Sequence, residues 1–297
     1  MPIHPLRVFV CCLLCPLALD AQTPAPAGTL AGVRQLSDIP YVGGGHERQR
    51  LNLYLPAEGG PARPLVVFVH GGGWNSGDKN DCPAKWLVVH GYAVASIGYR
   101  LSVQALYPAQ IEDCKAAIRF LRAHAAEYGI KGDRIGVWGE SAGGHLVALL
   151  GTTGGIRDFD SGENLDQPSA VQCVVDLFGP ADFLHWGREV AGSALDTPDN
   201  AAAKLIGGRI SENPDKARRA SPLYFVTKDA APFLIMQGKN DDSVPAQQSE
   251  TFDAALKKAG AESTLKLFPG TGHGGAVFRS APSLALILDF LDRHLKK

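Results

Sequence analysis

Gly139-Glu140-Ser141-Ala142-Gly143 stands between the apolar run Arg134-Ile135-Gly136-Val137-Trp138 and the helical stretch His145–Leu150. That order of strand, tight turn and helix fits few folds. The two backbones must pass closely, which glycines on either side of the serine permit. A serine at the tip of such a strained turn presents its hydroxyl as an attacking group would. The pentapeptide alone is weak evidence in a chain with 34 glycines. The strand before it and the helix after it supply the specificity. The competing reading is an ordinary glycine-rich turn carrying an idle serine.

A second strand pattern, Pro64-Leu65-Val66-Val67-Phe68-Val69, runs straight into His70-Gly71-Gly72-Gly73-Trp74. An acyl-transfer serine needs donors aimed at the oxyanion of its tetrahedral intermediate, and glycines after a strand leave N–H groups free to point there. Gly72 and Gly73 are the candidates, joined by the N–H of Ala142, which follows the serine. Whether Gly73 or Trp74 gives the second loop donor stays open. Trp74 is a candidate pocket wall, although core packing explains a tryptophan equally well. A phosphate cradle is the rival for this loop, but the G-K-[ST] ending and the spaced glycines of nucleotide motifs are missing.

An acid and a histidine are then required. Pro232–Gln237 reads as a buried strand ending in Gly238-Lys239-Asn240-Asp241-Asp242-Ser243-Val244-Pro245, and Ser263–Phe268 leads into Pro269-Gly270-Thr271-Gly272-His273-Gly274-Gly275. Each candidate follows a strand's carboxyl end, where α/β proteins place their sites. The order Ser141, Asp241, His273 is that of an α/β-hydrolase triad. Asp242 and, more remotely, Asp182 compete for the acid. His145 and His294 read as structural, and His70 as a brace for the glycine loop.

Together, His70-Gly71-Gly72-Gly73-Trp74, Gly139-Glu140-Ser141-Ala142-Gly143-Gly144-His145 and Gly238-x-x-Asp241-x-x-Val244-Pro245 resemble the hormone-sensitive-lipase-like and bacterial feruloyl-esterase-like esterases. The similarity runs from about Arg50 to Leu295, and Tyr107–Asp113 through Arg122–Ala125 resembles the helix before the serine turn in such enzymes. Glu140 is a departure, since hormone-sensitive-lipase relatives usually carry aspartate there. With Trp74 it tilts the resemblance toward feruloyl-esterase-like and general carboxylesterases. The resemblance implies a serine carboxylesterase with catalytic Ser141, Asp241 and His273, needing no metal or organic cofactor. Short aliphatic, acetyl-polysaccharide and feruloylated esters all remain open as substrates. An amidase or peptidase on the same fold is the rival, and a non-catalytic binding protein a more distant one.

The chain has 297 residues, of which 45% are apolar, enough for one sizeable core. Its net charge of −1 and the absence of Lys/Arg runs longer than two residues argue against a nucleic-acid partner. Arg7 followed by apolar Val8–Leu19 reads as a signal peptide over residues 1–21, too short to span a bilayer, so a secreted or periplasmic protein without stable membrane insertion is expected. A retained tethering segment and a lipoprotein on Cys15 are the alternatives. Residues 22–49 form the mature amino-terminal segment. Cys11, Cys12 and Cys15 fall in the leader, leaving Cys82, Cys114 and Cys173; an odd number cannot pair completely. A Cys82–Cys114 bridge is possible in an oxidising compartment, but free thiols are the expectation.

Strand-like runs at Arg50–Leu55, Pro64–His70, Tyr92–Tyr99, Arg134–Gly139, Val171–Phe178, Phe233–Gln237 and Thr264–Phe268 alternate with helical patterns. On one helical face lie Ile111, Cys114, Ile118 and Leu121; on another, Phe252, Ala255, Leu256 and Ala259; on a third, Leu284, Ile287, Leu288, Leu291 and Leu295. The expected fold is an α/β-hydrolase domain over residues 50–297: a mostly parallel sheet covered on both faces, with its first strand or two antiparallel. An insertion at about 181–227, with Phe183, Leu184, Trp186, Val190, Leu195, Leu205 and Ile206, is too long for a bare loop. A short helical cap is expected there, with Phe183 and Trp186 as candidate pocket residues.

Overall fold

The computed structural model describes Met1, residues 32–186 and residues 196–297. The expected leader with Cys11, Cys12 and Cys15, the start of the mature segment, and Val190 and Leu195 lie outside the described residues.

The strands are β1 (Val33–Pro40), β2 (Arg50–Pro56), β3 (Arg63–Val69), β4 (Ala93–Ile97), β5 (Ile130–Glu140), β6 (Cys173–Leu177), β7 (Phe233–Gly238) and β8 (Ser263–Phe268). They form a single eight-stranded sheet in the order β1-β2-β4-β3-β5-β6-β7-β8. β1 and β2 pair antiparallel, β2 meets β4 antiparallel, and every pair from β4 to β8 is parallel. This is the α/β-hydrolase fold.

Strands covered on both faces read as continuous apolar runs, and β3 shows the consequence. Leu65, Val67 and Val69 enter one core layer while Val66 and Phe68 enter the other. Helices α1 (Ala109–Ala123), α2 (Ala125–Tyr128) and α3 (Ala142–Thr152) follow in the chain, then α4 (Ala201–Ile206), α5 (Pro214–Arg219), α6 (Ala246–Ala259) and α7 (Ala281–Leu295). Ile111 and Leu121 of α1, Leu146 of α3 and Phe252 of α6 fill the first layer. Ile287, Phe290, Leu291 and Leu295 of α7, with Leu87 and Val88 of a 3₁₀ turn, fill the second. Each such side chain contributes roughly 1.5–3 kcal/mol by leaving water.

One expectation changes. Residues 22–49 are not merely a lead-in, because β1 adds an edge strand to the sheet, and the compact unit begins at Gly32. Cys82, Cys114 and Cys173 are free buried thiols. Cys82 belongs to one core layer and Cys114 to the other, so the sheet lies between them and no bridge can form.

The insertion carries α4, α5 and a 3₁₀ turn at Pro222–Phe225. Ala202, Leu205, Ile206, Ala217 and Ala220 join the first core layer rather than a satellite of their own. Among the described residues, no helix is long and apolar enough to cross a membrane.

The parallel strands end on one edge. The His70 loop after β3, Ser141 after β5, Phe178 after β6, Asp241 after β7 and His273 after β8 all follow carboxyl ends on that edge.

Candidate active site

Ser141 sits between β5 and α3 at φ +55°, ψ −118°, a strained left-sided conformation for a non-glycine residue. Its N–H is pinned by Leu177 O at 2.9 Å. The flanking glycines are sterically obligatory. A Cβ on Gly139 would stand 2.2 Å from Gly143 O, and one on Gly143 would stand 2.0 Å from Val69 O. The close passage read from the sequence is therefore present.

Ser141 Oγ lies 2.8 Å from His273 Nε2, and His273 Nδ1 lies 2.8 Å from Asp241 Oδ2. With the serine hydroxyl donating to Nε2, Nδ1 carries the ring proton and donates to the carboxylate. Asp241 Oδ1 accepts from the N–H groups of Ser243 and Val244 at 2.9 and 2.8 Å, and Gln237 Nε2 donates to Oδ2 at 2.9 Å. Asp241 is buried, whereas Asp242 is exposed on the rim of the cavity that Ser141 and His273 share, has no hydrogen bond to the imidazole among the described residues, and accepts a Ser243 hydroxyl contact at 3.4 Å. Asp182 is engaged elsewhere, by His185 Nδ1 at 2.5 Å, Leu184 N at 3.0 Å and Tyr224 Oη at 3.3 Å.

The glycine loop adopts φ +106° at Gly72 and +58° at Gly73, and Trp74 follows at +57°. Gly72 O accepts from Asn75 N and Ser76 N, which closes the turn. Gly73 lines both cavities beside Ser141, whereas Gly72 lines one and Trp74 the other. Ala142 opens α3, at the helix end where N–H groups lack intrahelical partners. His70 does brace the loop: its Nδ1 contacts Gly71 O at 2.8 Å, Arg48 Nη2 lies 3.3 Å from Nε2, and its ring stacks on Tyr99 at 4.3 Å. Burial draws the His70 pKa down to about 4.

Two cavities meet at Ser141 and His273. One, of about 590 Å³, is bordered by His70, Gly71, Gly72, Ser76, Asp78, Asp81, Glu140 and Phe178. The other, of about 390 Å³, is bordered by Trp74, Pro180, Trp186, Asn200, Ala201 and Val244. Glu140 forms an ion pair with Arg279 at 3.0 Å; burial raises its carboxyl above the usual range and the guanidinium opposes that.

Of the expected pocket residues, Trp74 and Trp186 border the second cavity, and Trp186 Nε1 donates to Ser243 O at 3.1 Å. Phe183 borders neither. It is fully buried behind them, with ring centroids 5.5 Å from Trp74, 4.9 Å from His145 and 5.6 Å from Trp186. Core packing therefore claims it. The sequence did not single out Gln237, Phe178 or the Asp78–Asp81 rim. Phe178, at φ +45°, sets its ring 4.8 Å from His273, and no motif spacing marks it.

The BD-FAE family model matches residues 51–256. Esterase LipQ of Mycobacterium tuberculosis is 32% identical over 269 residues, 86% of this chain and 62% of LipQ. Esterase LipC of the same organism is 30% identical, over 92% of this chain and 69% of LipC. A truncated carbohydrate esterase from gut microbiota superposes with a TM-score of 0.83 at 34% identity, covering 89% of this chain and 97% of the other. The chain thus spans about two thirds of the length of these two curated relatives.

Proposed function

The chain belongs to the BD-FAE family, and from that premise we propose that it is an exported serine carboxylesterase hydrolysing small or carbohydrate-linked esters through an acyl-enzyme on Ser141. The observation that carries this reading is the run of hydrogen bonds Ser141–His273–Asp241, each link 2.8 Å, at the tip of a strained turn.

In the proposed reaction, Ser141 Oγ bonds to the ester carbonyl carbon as its proton passes to His273 Nε2. The carbonyl oxygen takes the electron pair and is held by N–H groups of Gly72, Gly73 and Ala142. Collapse breaks the bond to the alcohol oxygen, which leaves with the proton from Nε2. Water then repeats the sequence, releasing the acid and restoring Ser141. Asp241 holds the imidazole in the productive tautomer and stabilises its cation.

An ester has two sides, and two cavities meet at Ser141. We assign the more apolar cavity, walled by Trp74, Pro180, Trp186 and Val244, to the acyl group, and the more polar one, rimmed by Ser76, Asp78 and Asp81, to a hydroxyl-rich alcohol. The similarity to a carbohydrate esterase supports that assignment. Export rests on the Arg7 and Val8–Leu19 pattern; N-terminal sequencing of protein recovered outside the cytoplasm tests it. The substrate assignment is tested by a chain-length series of 4-nitrophenyl esters run beside acetyl-xylan and methyl ferulate. Turnover of the short esters and a carbohydrate ester is expected; turnover of none of them would overturn the reading.

A second reading, an amidase or peptidase, draws on the carboxylates of Asp78 and Asp81 at the polar cavity, since paired carboxylates can hold a substrate amine. An aminoacyl 4-nitroanilide hydrolysed faster than the matching ester would favour it.

A further inference from the structure

His145 stands one helical turn beyond Ser141 and is fully buried. Its backbone N–H donates to Ser141 O at 3.0 Å, which ties it to the serine directly. Its ring reaches two other elements. Trp74 Nε1–H, a group that can only donate, lies 3.2 Å from His145 Nδ1. Nε2 lies 2.5 Å from the carbonyl oxygen of Ala220, at the end of α5. An indole donor on one nitrogen and a carbonyl acceptor on the other admit a single state, the neutral ring with its proton on Nε2. Burial favours that neutral form, drawing the pKa down to about 4.

Trp74 is the residue in most need of such a hold. It adopts φ +57°, a conformation that bulky residues rarely take, and it directly follows Gly72 and Gly73. Its main chain is fixed on one side by Ser102 N donating to Trp74 O at 2.8 Å. Its indole is fixed by the His145 bond and by edge contacts with His145 and Phe183 at 5.1 and 5.5 Å. The helix that begins at Ser141 therefore also grips the loop that faces Ser141, through a single side chain.

We propose that His145 is a positioning residue for acyl transfer: by accepting the Trp74 indole N–H, it fixes the Gly72–Gly73–Trp74 turn so that the loop N–H groups face the Ser141 oxyanion. This rests on the acyl-transfer reading above. A histidine that only filled the core would affect stability and leave transition-state binding alone.

Three variants separate these roles. His145→Asn sets an amide oxygen near the position of Nδ1 and keeps an acceptor for Trp74. His145→Gln reaches toward Ala220 instead, and His145→Leu keeps only volume. The readouts are kcat and KM on 4-nitrophenyl butyrate, Ki for a trifluoromethyl ketone whose hemiketal oxyanion must be held by the loop, and Tm. In His145→Leu, kcat is expected to fall about a hundredfold, the scale of losing one oxyanion donor, with KM little changed and Ki weakened in parallel. His145→Asn restores most of both, and His145→Gln does not. Trp74→Phe removes the indole N–H but keeps the ring; it reproduces the loss, and adding His145→Leu costs little more because the two act through one bond. Variants with lowered Tm but unaltered kcat and Ki overturn the role of His145 while wild-type Ser141 still takes a fluorophosphonate. A wild-type enzyme whose Ser141 takes none overturns the acyl-transfer reading, and this role with it.

Discussion

Asp241 Oδ2 stands 2.8 Å from His273 Nδ1, and the carboxylate is held from behind by Gln237 Nε2 and by the N–H groups of Ser243 and Val244. Its neighbour Asp242 is exposed on the same turn. One residue of sequence thus separates a carboxylate fixed against the imidazole from one left in solvent.

The first prediction follows from that pair. Asp241→Asn is expected to lower kcat by about four orders of magnitude, the scale of losing the orienting acid in such triads. Asp242→Asn should be nearly normal. Steady-state rates on 4-nitrophenyl acetate check both, and the reverse ranking would move the role to Asp242.

Phe183 and Trp186 are expected to part company. Phe183 is fully buried among Trp74, His145 and Trp186, so Phe183→Ala should cost about 3–5 kcal/mol of stability, read from urea unfolding. Trp186 borders the apolar cavity, so Trp186→Ala should change the butyrate-to-acetate ratio while folding persists. An unchanged ratio would mean the acyl group lies elsewhere.

The sheet was legible because burial on both faces leaves uninterrupted apolar runs. All seven expected runs, from Arg50–Leu55 to Thr264–Phe268, are strands. β1 escaped for a physical reason. Its register shifts between Leu36 and Ile39, with Asp38 at φ +58°, so Val33, Leu36 and Ile39 recur every third residue instead of alternating. The loops after β3, β5, β7 and β8 were found because glycines and their order carry the signal. Phe183 was misplaced because an aromatic in an insertion looks the same whether it lines a cavity or backs the wall. Gln237 and Phe178 carry no signal, since their roles arise from strand ends meeting in space.

A pH effect on stability comes from Asp176, buried on β6 with its Oδ1 accepting from Gly179 N at 3.0 Å. Burial pushes its carboxyl from the ordinary 3.8 up to about 7. The folded state then keeps a proton that the unfolded chain releases, so this contribution is complete below about pH 4 and is lost as pH rises through about 7. Asp176→Asn offers the same acceptor without titrating. Its urea midpoint should exceed that of the wild type at about pH 8 and vary less between about pH 4 and 7. Parallel curves for the two proteins would contradict the assignment.

The turn itself makes a steric prediction. Gly143→Ala would drive a methyl group to 2.0 Å from Val69 O, against backbone that cannot swing aside. Loss of soluble protein or of all esterase activity is expected. Retention of normal turnover would show that β3 and α3 do not pass as closely as described.

The most direct measurement is mass analysis of the protein after reaction with a fluorophosphonate. A single adduct on the peptide containing Ser141, with activity lost in step with labelling and no labelling of Ser141→Ala, is the predicted result. An adduct elsewhere, or a Ser141→Ala protein that still hydrolyses 4-nitrophenyl acetate at the wild-type rate, would contradict the assignment of Ser141 as the nucleophile.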